Sequence, residues 1–124
     1  MAAKKILVVD DSKTSQLLHT TILRRQGYLV LTAQDGEEGV SMALREKPSL
    51  VLMDVVMPKM DGLQALKVLR SQPATREIPV IMVTTRGEGP NVQTGFENGC
   101  NDYVTKPVDA LELLAKVKSC VGAA

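Results

Sequence analysis

Four short apolar runs, Ile6 to Val9, Leu29 to Leu31, Leu50 to Met53 and Val80 to Val83, constrain the fold more than any other feature of the chain. They are rich in Val, Ile and Leu, are bounded by turn residues, and lack the in-and-out alternation of a strand with one wet face. Such runs predict strands covered on both sides, and therefore a parallel sheet. A shorter run, Tyr103 to Thr105, supplies a fifth strand.

The segments between the runs carry helix signals. Asp35 with Glu38, Asp61 with Gln64 and Asp109 with Glu112 each read as an N-cap and its reciprocal partner three residues on. A first helix is predicted from about Ser12 to Gln26, with Leu18 and Ile22 sharing a face and Gly27 as the stop. The last helix carries Ala110, Leu114, Val117 and Val121 as a core stripe, with Leu113 and Cys120 on its flank. Strand and helix thus alternate five times, which calls for an α/β doubly wound parallel sheet because parallel neighbours need right-handed crossovers. The expected strand order, 2-1-3-4-5, is taken by analogy with flavodoxin-like sheets. At 124 residues, with no linker or internal repeat, residues 1–124 are expected to form a single domain.

Fifteen basic and fourteen acidic side chains nearly cancel, leaving no electrostatic footprint for a nucleic acid. No apolar run is long enough for membrane insertion, and the N-terminus runs straight into acid, so a cytoplasmic location is expected. Cys100 and Cys120 match no metal or redox spacing and read as two reduced thiols.

In a sheet of this kind, ligands bind beyond the carboxyl ends of the strands, where the strand order reverses. Those ends carry Asp10 and Asp11, then Asp54, then Thr84 and Thr85, then Lys106 followed by Pro107. Asp10 and Asp11 could simply cap the first helix. Asp54 resists that account: it lies inside VLMDVVMP, and the next helix starts seven residues later at Asp61. Neighbouring strands are about 5 Å apart, so Asp54 and the acid pair would repel by about 3 kcal/mol per charge pair at an effective dielectric of about 20. One lysine does not offset three carboxylates, whereas a divalent cation does, and an all-oxygen site suits magnesium. A carboxylate, a hard cation, a hydroxyl and an ammonium together equip such a site to form an aspartyl phosphate.

VVDD at the first strand end, LMDVVMPKMDG around Asp54, MVTT at the fourth and YVTKP at the fifth resemble the receiver domain of two-component response regulators, across essentially the whole chain. The resemblance implies that Asp54 accepts a phosphoryl group from a phosphohistidine on a sensor histidine kinase or a histidine phosphotransfer protein. It implies that Asp11, Asp54 and the backbone carbonyl of Val56 ligate Mg2+, with Asp10 holding one of its waters. Lys106 would pair with the phosphoryl oxygens, held by a cis peptide to Pro107. Thr84 would swing its hydroxyl onto the phosphoryl group and let Tyr103 turn inward. That coupling would change the face made by the fourth helix, fifth strand and fifth helix, which a partner protein reads. A receiver of this kind is not a turnover enzyme, although it promotes its own phosphorylation and dephosphorylation. A monomer is expected, or a dimer that forms on phosphorylation. With no output domain attached, a chemotaxis or motility adaptor, a relay carrier and a phosphate sink all fit.

The sequence departs from the family in two places. Thr85 stands where a small residue is usual and is expected to narrow access to Asp54. The segment RGEGPN, residues 86–91, together with Gly95, is poor in helix propensity and predicts a late-starting, mobile fourth helix. His19 reads as a surface residue, and Met53, Met57, Met60 and Met82 read as packing. Three rival readings fit the residues less well. An aspartate-nucleophile phosphatase needs a second acid where Ser12 stands, flavodoxin needs more aromatic residues than Tyr28, Phe96 and Tyr103, and an unphosphorylated receiver would not need every site residue in place.

Overall fold

The computed structural model describes residues 3–85 and 96–122. Its elements are β1 (Lys5–Val9), α1 (Lys13–Arg24), β2 (Leu29–Ala33), α2 (Gly36–Glu46), β3 (Leu50–Asp54), α3 (Gly62–Ser71), β4 (Val80–Thr84), β5 (Asp102–Thr105) and a C-terminal helix (Ala110–Val121). All strand pairs are parallel, in the order β2-β1-β3-β4-β5. This is the doubly wound sheet expected from the apolar runs. The predicted late-starting fourth helix, with residues 86–91 and Gly95, lies outside the described residues.

Strand alternation divides the core into two layers. Leu7, Val9, Val51, Met53 and Met82 face α2 and α3, in a cluster with Ala43, Ala65, Leu66 and Leu69. Ile6, Val8, Leu50, Leu52, Ile81, Val83 and Val104 share the other layer with Leu23 of α1 and Leu113 and Val117 of the C-terminal helix. Every residue of β3 and β4 is buried, as apolar runs without alternation require. The edge strand β2 differs: Leu29 and Thr32 are exposed while Val30 and Ala33 are buried, one in each layer, so each face of this edge strand is covered only in part.

The caps follow local chemistry. Asp61 forms a complete capping box with Gln64. Asp35 accepts from the Glu38 N–H, but the Glu38 carboxylate reaches the Gln34 N–H rather than that of Asp35. Asp109 caps through the Leu111 N–H, so the reciprocal partnership expected with Glu112 is not its capping bond. Ser12, not Asp10 or Asp11, is the N-cap of α1, and Gly27 ends the following turn at φ +92°, a conformation that favours glycine.

Two sequence expectations are corrected by packing. His19 is buried, not on the surface, because α1 turns His19, Thr20 and Leu23 toward the sheet and leaves Leu18 largely exposed. Among the described residues the His19 Nδ1 has no hydrogen-bond partner, and burial pushes the ring's pKa down, with Asp10 partly opposing. In the C-terminal helix, Leu113 and Val117 form the buried stripe while Ala110 is exposed, a rotation of the inner face by one residue at its start. Met53, Met57 and Met82 are buried within the α2–α3 layer and Met60 packs against it, as read from the sequence. Cys100 is buried and Cys120 half-buried, and neither is in a disulfide. Among the described residues no helix is long and apolar enough to cross a membrane.

Candidate functional site

The carboxyl end of β1 delivers Asp10 into the sheet's crevice. Its N–H donates to the Ala33 carbonyl and its Oδ1 accepts the Ser12 N–H at 2.9 Å, so the side chain is fixed as the chain turns into α1. Gln16, one turn into α1, donates to both the Asp10 and the Ala33 carbonyls and ties the ends of β1 and β2 together. Asp10 is 1% exposed, whereas the adjacent Asp11 opens to solvent.

Asp54 ends β3 and is 6% exposed. The chain leaves the sheet immediately after it: the Val55 N–H still bonds to Val83, and Gly62 then donates back to the Val55 carbonyl. A Cβ on Gly62 would sit 2.2 Å from the Asp54 carbonyl oxygen, so only glycine lets the start of α3 close over the strand end. Val56 is 60% exposed, and its backbone N–H acts to lower the Asp54 pKa. The apolar run in which Asp54 stands is therefore a buried strand that surfaces at its last residue.

Lys106 closes the site from β5. Its N–H donates to the Thr84 carbonyl at 2.6 Å, and its Nζ lies 3.0 Å from Asp10 Oδ2 and 3.2 Å from Asp54 Oδ2. The Lys106–Pro107 peptide is cis, as the resemblance implied. Asp10, Asp11 and Asp54 each offer a carboxylate oxygen within 4.8 Å of the others. Burial and then the neighbouring Asp10 push the Asp54 pKa up to about 6, against the pull of Lys106. Burial acts to lower the Lys106 pKa, but the bonds and charges of Asp10 and Asp54 outweigh it and hold the ammonium protonated. Among the described residues Lys106 pairs with two buried carboxylates at once, and burial, with Asp10 second, is what raises the Asp54 pKa.

That donor set fits a hard divalent cation. It is all oxygen, Asp11 is open to solvent, and among the described residues Asp10 Oδ2 takes no aligned hydrogen bond despite its burial. Thr84, 2% exposed, ends β4 beside this cluster, and Thr85 follows it at the surface. By strand alternation Thr84 and Tyr103 belong to the α3 layer, opposite to the layer of Asp54 and Lys106, and Tyr103 packs against that α3 layer.

All the residues singled out at the strand ends are therefore brought to one edge of the sheet. Sequence reasoning missed their supports. Besides Gln16, Arg70 donates to the Ile78 and Gly99 carbonyls and to Asn101 Oδ1, and Asn101 in turn accepts the Val80 N–H. This fixes the entries of β4 and β5. The basic residue in the last turn of α3 and the asparagine just before β5 were the available signals.

The response regulator receiver domain family matches residues 6–118. Protein PilH of Pseudomonas aeruginosa is 44% identical over 115 residues, covering 93% of this chain and 95% of PilH. Response regulator PleD of Caulobacter vibrioides is 42% identical over 116 residues, covering 93% of this chain and 25% of PleD. Among solved structures, the receiver domain of the sensor histidine kinase PA1611 of Pseudomonas aeruginosa carries a magnesium ion in its active-site cleft. It superposes with a TM-score of 0.90 at 31% identity, covering 98% of this chain and 100% of that one. The chemotaxis protein CheY4 of Vibrio cholerae also gives a TM-score of 0.90 at 31% identity, covering 96% and 99% of the two chains. With carboxylates, lysine and threonine gathered at the strand ends and the family matched along nearly the whole chain, this protein belongs to the response regulator receiver domains, the phosphorylation-dependent switches of two-component signalling.

Proposed function

We propose that Asp54 is the phosphoryl acceptor, that Lys106 and Thr84 act on the transferred group, and that the donor is a phosphohistidine on a sensor histidine kinase or a histidine phosphotransfer protein. The observation that carries this reading is the Lys106 ammonium held between the buried Asp10 and Asp54 carboxylates at 3.0 and 3.2 Å. An Asp54 carboxylate oxygen attacks phosphorus as the N–P bond of the donor breaks, and the histidine leaves with the bonding pair as an imidazole. Asp54 must be ionised to attack, so a pKa of about 6 leaves most of it competent at neutral pH. Lys106 neutralises charge on the equatorial oxygens, and the Thr84 hydroxyl donates a hydrogen bond to one of them.

Asp11, Asp54 and the Val56 carbonyl would hold Mg2+, with Asp10 reaching it through water. The bound ion supplies positive charge that offsets the carboxylates and the incoming phosphoryl oxygens. Once Thr84 engages the phosphoryl group, the space it leaves admits Tyr103, and the surface along β5 and the C-terminal helix changes for a partner protein. The chain acts as one signalling unit over residues 1–124 in the cytoplasm, as a monomer or a phosphorylation-dependent dimer, and turns over no substrate beyond its own phosphate. Incubation with acetyl phosphate and magnesium tests this. Intact mass should rise by one phosphoryl group in the wild type and stay unchanged in Asp54→Asn. Multiple turnovers of a phosphate ester would instead support a phosphatase.

A further inference from the structure

The strand β5 lies at the edge of the sheet, and its treatment at Tyr103 is unusual. The Lys106 N–H reaches Thr84 on β4, so by strand alternation Tyr103 turns its own N–H and carbonyl away from β4, toward the open edge. Both groups are met by side chains. The Asp102 carboxylate accepts the Tyr103 N–H at 2.8 Å, and Lys116 of the C-terminal helix donates to the Tyr103 carbonyl at 2.5 Å. The same ammonium lies 3.4 Å from Asp102 Oδ1 and 5.0 Å from the centroid of the Tyr103 ring. On the ring, Phe96 makes an edge-on contact, with centroids 5.8 Å apart. One lysine therefore holds the backbone and the ring of a single residue at once, and an ion pair closes the loop.

We propose that Lys116 is a positioning residue for the switch, a latch that holds Tyr103 in its resting place and so sets how readily phosphorylation moves it. The inference rests on the proposed role of Tyr103 and adds a residue that acts through it. The ammonium favours the ring position seen here because a cation near an aromatic face is attracted to it, and rotation of the ring inward forfeits that attraction. Contacts made in only one of two states bias the equilibrium by their full differential strength. Lys116 touches none of the carboxylates at the phosphorylation site among its described contacts, so its effect passes through Tyr103.

The test compares wild type, Lys116→Met and Lys116→Arg by fluoroberyllate titration in magnesium, following the Tyr103 ring resonances. Lys116→Met should bind fluoroberyllate about three- to tenfold more tightly and show Tyr103 ring shifts displaced toward the bound position before any ligand is added. Lys116→Arg keeps the charge and the donor and should stay within about twofold of wild type. Should Lys116→Met fail to fold, Asp102→Asn, which removes the ion pair that anchors the lysine, should move the same two readouts in the same direction. Equal affinities and unmoved ring resonances in the variants, with a wild-type Tyr103 that does respond, would overturn the latch alone. A wild-type Tyr103 that ignores fluoroberyllate bound at Asp54 would overturn the switch role on which the latch depends.

Discussion

The centre strand β3 and the edge strand β5 both contribute to the site, and they are built in opposite ways. Each residue of β3 is buried, and the strand is bonded on one side to β1 and on the other to β4. In β5 only Val104 is buried, and the outward groups of Tyr103 are satisfied by Asp102 and Lys116 side chains instead of another strand. Moving β3 would break two ladders and open the core, whereas β5 can exchange side-chain partners one at a time. The proposed phosphoryl acceptor Asp54 stands on the strand held from both sides, and the proposed switch residue Tyr103 on the strand held from one.

Substitutions graded along that contrast should break or sharpen it. Leu52→Ala, in the buried middle of β3, should cost about 4 kcal/mol in urea unfolding through lost burial and a residual cavity. Gly62→Ala places a Cβ against the Asp54 carbonyl and should cost about 3 kcal/mol, with a loss of phosphorylation, since the strand end that carries Asp54 must shift. Lys106→Met should slow phosphorylation by acetyl phosphate about 100-fold in a kinetic mass assay, while the fold survives. Val104→Ala, the single buried residue of β5, should cost about 2 kcal/mol, roughly half of the β3 effect. Similar costs for Leu52→Ala and Val104→Ala would abolish the distinction between the two strands.

The smallest predicted effect is electrostatic and has a definite sign. Asp54 titrates near 3.8 when unperturbed and about 6 in the metal-free fold. A raised carboxyl pKa contributes stability that is complete below 3.8 and is lost as pH rises through about 6. Asp54→Asn should therefore raise the melting temperature of metal-free protein by about 3 °C or more at pH 8 and by progressively less toward pH 4. Magnesium should narrow the difference at pH 8 by stabilising the wild type, and its affinity for the wild type should weaken as pH falls through about 6. Calorimetry across that range checks both statements.

The sheet was legible because burial on both faces leaves a direct trace: apolar runs of Val, Ile, Leu and Met at β1, β3 and β4. The strand-end residues were legible for the complementary reason, that a carboxylate in the position of Asp54 has no capping role to explain it. Helix faces were less so. In the C-terminal helix, Leu113 and Leu114 are adjacent and equally apolar, and only packing against β5 and its neighbours decides that Leu113 turns inward. His19 was misread because its single polar ring gives no sign that α1 presses it toward the sheet. Gln16, Arg70 and Lys116 were missed because each acts on backbone groups far away in sequence, which leaves no local pattern.

Site-resolved mass analysis after exposure to acetyl phosphate and magnesium tests the central claim most directly. The account predicts one phosphoryl group, confined to the peptide that contains Asp54, absent when magnesium is chelated and absent in Asp54→Asn. A phosphoryl group on any other residue, or none at all on correctly folded protein with magnesium present, would contradict it.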